Sequence, residues 1–314
     1  MWEKKGLIFS VDNISEEMKS HVLGPTVVVN ERSFRIFFSS RDQDQTSRPF
    51  YIDVDKTDPS KIIHIETTPL FHLGDLGTFD DDGVMPCSAV DLGKGVIRLY
   101  YVGWNRGVTV SYRNSIGLAV SHDGGARFER MYEGPVIDRS FREPHMAASP
   151  CVLKVGDVWK CWYTSGTRWI TVEGKTEPIY TIRYAESADG VNWERDGRHC
   201  LNQRCQQEAF ARPTVLKISG KYRMWYSFRE SHDYRGGAGS YRIGYAESLD
   251  GRIWSRLDSE AGIGASEEGW DSEMLCYPCV VRVGENLVMF YNGNGFGKSG
   301  LGFATRTVDS LRQG

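Results

Sequence analysis

Apolar residues in this chain fall in short runs that alternate with polar positions at every second residue, the period of a half-buried strand, and the runs recur. The stretches GPTVVV at Pro25, MPCSAV at Pro86, SPCVLK at Pro150, RPTVLK at Pro213 and YPCVVR at Pro278 each carry one such run, and the prolines stand 61, 64, 63 and 65 residues apart. A fixed period of this size is the signature of a repeat architecture.

Each repeat goes on in the same way. The second member of an aromatic pair follows each proline by thirteen to fifteen residues, in RIFFSS, RLYYVG, KCWYTS, RMWYSF and VMFYNG. Turn residues in KVGD, KISGK and RVGEN separate the two runs, so a hairpin is expected to open each unit. A third strand is predicted in SIGLAVSHDGG, TIRYAESADG, RIGYAESLDG and, more weakly, SGLGFATRTVD. In three units S-x-D-G then leads to an aromatic and a basic residue, which predicts a tight Asp-Gly turn into a fourth strand. Helical periodicity is confined to ISEEMKSHV.

The expectation is an all-β chain folded as a five-bladed β-propeller with four antiparallel strands per blade, a single domain over residues 1–314. The blades are expected at about 20–70, 80–133, 141–197, 206–258 and 271–306. The last unit lacks a fourth strand. WEKKG at Trp2 resembles WERDG at Trp193, so residues 2–11 are expected to supply it and join the two ends of the chain.

Composition narrows the function classes. Hydrophobic residues make up 40% and charged residues 25%, enough apolar material for a sizeable core, and the net charge of −3 with no basic run argues against nucleic acid or a membrane surface as partner. The N-terminal MWEKKGLIFSVDN lacks the apolar segment of a signal peptide, and a cytoplasmic location is expected. Of the seven cysteines, Cys276 and Cys279 form a single C-x-x-C, without the second pair or nearby histidine that a zinc site needs. Neither metal nor cofactor is expected.

In a propeller the approach to the first strand and the exit from the second lie at one face. Five positions before the prolines stand Ser20, Asp81, His145, Glu208 and Glu273, and Glu143 shares the parity of His145. Arg142 and Arg212 interleave with them, and the opposite rim position holds Arg41, Trp104 to Arg106, Thr167 to Trp169, Arg229 and Asn294. Acids at the centre, with arginine, amide and indole groups around them, suit a carbohydrate pocket. The competing expectation is structural, because ion pairs that tie neighbouring blades gather the same residue types. The S-x-D-G segments are expected to be turns and their aromatics blade core.

With these residues in place, the chain resembles the five-bladed propeller glycosidases, the superfamily that includes glycoside hydrolase families 43, 32 and 68 and the mannoside phosphorylases of family 130. Phe141-Arg142-Glu143-Pro144 resembles the Arg-Asp-Pro element of family 32, with glutamate in place of aspartate. EAFARPTVLKISGKYRMWYS resembles the segment that presents a general-acid glutamate, here Glu208, and FDDDGVMP matches the upstream carboxylate at Asp81. The resemblance thus implies a glycoside hydrolase with Glu208 as general acid, Asp81 as nucleophile or base and Glu143 as stabilising carboxylate. Arg41, Trp104, Arg142, His145, Arg212, Arg229, Glu273 and Asn294 would bind the substrate, a neutral, anionic or phosphorylated carbohydrate.

Two features depart from the pattern. The first unit, HVLGPTVV, has no aspartate where family 43 carries its base, and the Trp-x-Asn-Asp-Pro-Asn-Gly motif of family 32 is absent. Two alternatives therefore stand beside hydrolysis. One is phosphorolysis or glycosyl transfer, with the arginines and His145 on phosphate; the other is a non-catalytic binder of glycans or nucleotide sugars.

Overall fold

The computed structural model describes residues 1–311, so the last three residues of the expected 1–314 domain lie outside the described residues. The chain opens with β1 (Glu3–Phe9), β2 (Asp12–Ser15), β3 (Met18–Val29), β4 (Ser33–Arg41), β5 (Ser47–Asp55) and β6 (Ile62–Ile65). A second meander follows as β7 (Gly83–Asp91), β8 (Ile97–Arg106), β9 (Tyr112–Ser121) and β10 (Glu129–Arg130). The third is β11 (Ala147–Val155), β12 (Val158–Val172), β13 (Lys175–Ser187) and β14 (Glu194–His199). The fourth is β15 (Ala209–Ile218), β16 (Lys221–Arg229), β17 (Arg242–Ser248) and β18 (Ser255–Arg256), and the last holds β19 (Cys276–Val283), β20 (Asn286–Asn292) and β21 (Leu301–Thr307).

The architecture is all-β. β11 to β14 and β15 to β18 form separate four-stranded sheets, and β19, β20 and β21 form a third with β1 on its outer edge. β1 pairs antiparallel with β21, from Glu3 opposite Thr305 to Phe9 opposite Leu301, so the N-terminal segment does complete the last sheet. β2 to β10 make one nine-stranded sheet, because a single parallel pair, Ser47 with Gly83, joins β5 to β7. No helix among the described residues is long and apolar enough to cross a membrane.

One local expectation is corrected, and the prolines gain a structural place. The segment with helical periodicity, ISEEMKSHV, is part of the β2–β3 hairpin, in which Ser15 pairs with Met18 across the Glu16–Glu17 turn. Tertiary pairing outweighs a weak periodic signal there. The prolines, in turn, do not open their strands but sit inside them, beside a bulge where the register slips: between Leu23 and Thr26, Pro86 and Ser88, Ala148 and Cys151, Ala211 and Thr214, and Cys276 and Cys279. Proline has no N–H to give a ladder, and a bulge is where its absence costs least.

β3, β7, β11, β15 and β19 pack in cyclic order, β19 returning against β3. Side chains just past the bulges stitch neighbours together: the N–H of Val152 donates to Ser88 Oγ (2.9 Å), that of Val215 to Cys151 Sγ (3.2 Å) and that of Val280 to Thr214 Oγ1 (3.2 Å). The apolar core lies between consecutive meanders, and Phe34 and Phe38 of β4 meet Phe290 and Phe303 of the last sheet in one cluster. The ring is held by packing, since the sheets themselves are not continuous around it.

The S-x-D-G segments are turns. Asp189 Oδ1 accepts the N–H groups of Val191 and Asn192, and Asp250 Oδ1 those of Arg252 and Ile253. Each turn also caps the preceding meander, because Tyr100 Oη donates to Gly190 O (2.8 Å) and Trp162 Nε1 to Gly251 O (2.7 Å). In these two units the first member of the aromatic pair is therefore a tie between meanders.

Candidate functional site

A cavity of about 340 Å³ opens where the five inner strands converge. Its floor is built from the bulges. Gly24, Ser149, Arg212 and Tyr277, each directly before a proline, have positive φ values of 70°, 43°, 50° and 56°, and all four line the cavity. Three of these are not glycine, and a left-handed residue of that kind costs of order 1–3 kcal/mol unless its surroundings hold it. Here the strain aims a side chain at the axis. The position before the proline is thus the readable signal for the floor, four residues downstream of Ser20, His145, Glu208 and Glu273.

The wall is aromatic and cationic. It contains five tyrosines, Tyr112, Tyr180, Tyr234, Tyr241 and Tyr277, together with Trp104 and the arginines Arg41, Arg212 and Arg235. Trp104, Tyr112 and Trp169 form a continuous aromatic row with ring centroids 6.4 and 5.5 Å apart. Behind the tyrosines Arg229 is 1% exposed, donating from Nε to Tyr180 Oη (3.0 Å) and Tyr241 Oη (3.3 Å) and lying 3.8 Å over the Tyr234 ring. Burial pushes the Tyr234 and Tyr241 phenols well above their ordinary range, so these two stay protonated at neutral pH. Tyr234 Oη in turn donates to the buried carboxylate of Glu177, which also accepts from Arg235 (2.9 and 3.2 Å). Asn114 is on the wall with its Oδ1 buried and without a hydrogen-bond partner.

Three of the residues picked from sequence, Arg41, Trp104 and Arg212, meet in this cavity. The others are elsewhere. Arg229 supports the tyrosines from behind, and Asn294 fastens a loop, its Oδ1 accepting the N–H of Glu273 (2.8 Å) and Met274 (3.0 Å). Arg142 is exposed and stacks on its neighbour Phe141 at 5.1 Å. Glu273 is exposed, and His145 is partly buried next to Gly166 with Met146 in the lining in its place.

The three carboxylates expected to act together do not line the cavity. Glu143, 2% exposed, accepts from Tyr163 Oη (2.9 Å) and Ser165 Oγ (2.8 Å) and faces Arg195 at 3.5 Å and Arg183 at 3.9 Å. Glu208 takes both Nη atoms of Arg256, at 2.8 and 2.6 Å, and the N–H of Arg204 at 2.7 Å. Asp81 is partly buried, accepting from Gly77 N (2.7 Å) and Asn105 Nδ2 (2.5 Å).

These arrangements repeat. Asp80 accepts from Tyr101 Oη (2.9 Å) and Arg130 (2.8 Å), and Asp271 from Tyr291 Oη (2.9 Å) and Lys4 Nζ (2.7 Å). In the fourth meander Asp258 takes Tyr226 Oη while Arg256 bridges it to Glu208. Each clamp joins an acid, the second tyrosine of the aromatic pair and a cation from the outermost strand, and β1 delivers that cation to the last sheet. The choice of Asp81 over Asp80 came from counting back from Pro86. Counted instead from the residue opposite the first aromatic of the pair, Cys151, Ser88 and Cys279, the acids Glu143, Asp80 and Asp271 share one upstream register, and Asp81 falls outside it.

His21, beside Ser20 Oγ (2.9 Å), has its pKa lowered from the ordinary 6.5 to about 4, first by burial and then by the charges of Arg41 and Lys298. The unfolded chain therefore takes up a proton before the folded one does. The His21 contribution to stability is complete above pH 6.5 and drains as pH falls towards 4, by about 3 kcal/mol. His21→Asn, which tolerates the positive φ of 68° at this position, is expected to flatten urea midpoints between those pH values; an unchanged slope would contradict this.

No protein-family model matches the chain. It is 38% identical over 305 residues to the uncharacterized protein Rv1502 of Mycobacterium tuberculosis strain H37Rv, covering 96% of this chain and 98% of that one. Among solved structures, a glycosyl hydrolase from Bacteroides ovatus superposes with a TM-score of 0.73 at 14% identity, over 98% of this chain and 94% of that one. A thermostable family-43 glycoside hydrolase gives 0.66 at 15% identity, over 95% and 91%. A structure from a study of family-130 mannoside phosphorylases and of glycoside hydrolases within that family gives 0.69 at 15% identity, over 98% and 94%. The likeness to these structures is one of fold.

Proposed function

The chain belongs to the family of the M. tuberculosis protein Rv1502 and has the fold of propeller glycoside hydrolases, and from that premise we propose that it acts on a glycoside or oligosaccharide held in the central cavity. We count the fold as one domain of five blades, β1 closing the last, because the inner strands follow one another in a ring. The observation that carries the functional reading is the make-up of the wall: an aromatic row for the apolar face of a sugar, and phenols and an amide for its hydroxyls.

We assign Glu143 and Glu208 to the clamps and place proton transfer on the Tyr234–Glu177 pair, in which Tyr234 lines the cavity and the buried Glu177 carboxylate behind it accepts its proton. A second reading, a glycan binder without turnover, is supported by the saturation of Glu143 and Glu208 with fixed cations. One glycoside panel followed both by binding and by product separates them. Trp104→Ala is expected to weaken binding about tenfold, the worth of a lost stacking face, while Glu177→Gln keeps binding and loses turnover. Undiminished turnover in Glu177→Gln would remove that assignment, binding without product in the wild type would favour the second reading, and no binding at all would end the carbohydrate reading.

A further inference from the structure

The cavity is charged in one direction. Its charged lining residues are Arg41, Arg212 and Arg235, with no carboxylate among them. Arg235 is compensated by Glu177 at 2.9 Å. Arg212, 5% exposed, crosses the floor from β15 and spends its N–H groups on neutral acceptors: Gly24 O and Pro25 O (both 2.8 Å), Thr26 Oγ1 (2.7 Å), Pro86 O (3.0 Å) and Cys87 Sγ (2.9 Å). Its charge is buried with no counter-ion among the described residues, and its position is fixed from five sides.

Arg41 ends β4 and is partly buried. Its side chain has one weak partner, Gln45 Oε1 at 3.4 Å, and among the described residues no carboxylate pairs with it. Burial and the charge of Arg235 both disfavour its charged form. Two guanidinium groups so placed cost several kcal/mol unless an anion arrives, and a guanidinium is shaped to take an oxyanion through two parallel N–H groups. The protein's own carboxylates do not supply it: Asp80, Glu143, Glu208 and Asp271 are each spent on a clamp cation.

The anion is not the whole occupant. Asn114 presents a buried Oδ1 that needs a donor, and turned the other way its amide would present a buried N–H₂ that needs an acceptor. A hydroxyl meets either need. We propose that the cavity seats an acidic sugar, its own carboxylate or phosphate group on Arg41 within the field of Arg212, and a hydroxyl on Asn114. This rests on the carbohydrate reading above and names the class of sugar.

The test compares glucuronate and glucose 6-phosphate with glucose and with inorganic phosphate, by calorimetric titration at constant ionic strength. The acidic sugars are expected to bind at least about tenfold tighter than glucose and tighter than free phosphate. Arg41→Gln should abolish that preference, and Arg41→Lys should keep part of it, both with wild-type melting temperature. Arg212 is too deeply bonded for a clean substitution, so Arg41 carries the test. Equal binding of glucose and glucuronate would overturn the proposal and leave the carbohydrate reading standing. Inorganic phosphate binding as tightly as either acidic sugar would overturn it in favour of a free-phosphate seat. An unchanged preference in Arg41→Gln would also overturn it, and failure of every sugar to bind would remove both readings together.

Discussion

Replacing Glu143 with alanine is expected to lower the unfolding free energy by about 3–5 kcal/mol, the cost of leaving a buried cation unpaired. Arg183 and Arg195 are 9% and 18% exposed and would lose their carboxylate, and Tyr163 Oη would lose its acceptor. A urea titration reads this as a lower midpoint at unchanged slope. The result also decides a role. A carboxylate held for catalysis is replaced with little loss or some gain of stability, whereas a clamp fails with the fold. A stability within about 1 kcal/mol of wild type would return Glu143 to the list of candidate catalytic groups.

The second large effect concerns the junction of the chain ends. Trp2 is 6% exposed, packs edge-on against Trp225 at 5.8 Å and precedes the strand whose Lys4 completes the last clamp. Trp2→Ala is expected to cost about 3–5 kcal/mol, the range for a large buried aromatic. Hydrogen exchange should then rise first in β1 and β21, because their pairing is the seam between the two ends. Loss confined to local exchange near Trp225, with β1 still protected, would show that the seam holds without it.

Much of the fold was legible because its signals are local. Proline, aromatic pair and S-x-D-G recur at fixed offsets, and each maps to a bulge, a tie between meanders and a capped turn. The likeness of WEKKG to WERDG was legible for the same reason: Lys4 holds Asp271 as Arg195 holds Glu143. The site was less so. Glu143 and Glu208 stand out in the sequence as acids ahead of apolar strands, but sequence does not show whether a cation waits behind them. Arg195 and Arg256 lie about fifty residues downstream, on outer strands. Tyr234, Arg235 and Tyr241 lie on or beside a connecting segment whose path no periodicity reveals, and Arg212 was named for the rim while it in fact spans the floor. Asp80 shares the register of Glu143 relative to the residue opposite the first aromatic, a register that pairing reveals and distance from the proline does not.

We propose that the carbohydrate is held by the ring of bulges and its aromatic wall, with the conspicuous buried acids serving as clamps. A crystal structure of the protein with a bound acidic glycoside tests it most directly. Sugar density is expected in the central cavity against Trp104, with the anionic group on Arg41, a hydroxyl on Asn114, and Glu143 and Glu208 still paired with Arg195 and Arg256. A sugar bound outside the cavity, or one whose glycosidic oxygen is met by a Glu208 carboxyl released from Arg256, would contradict it.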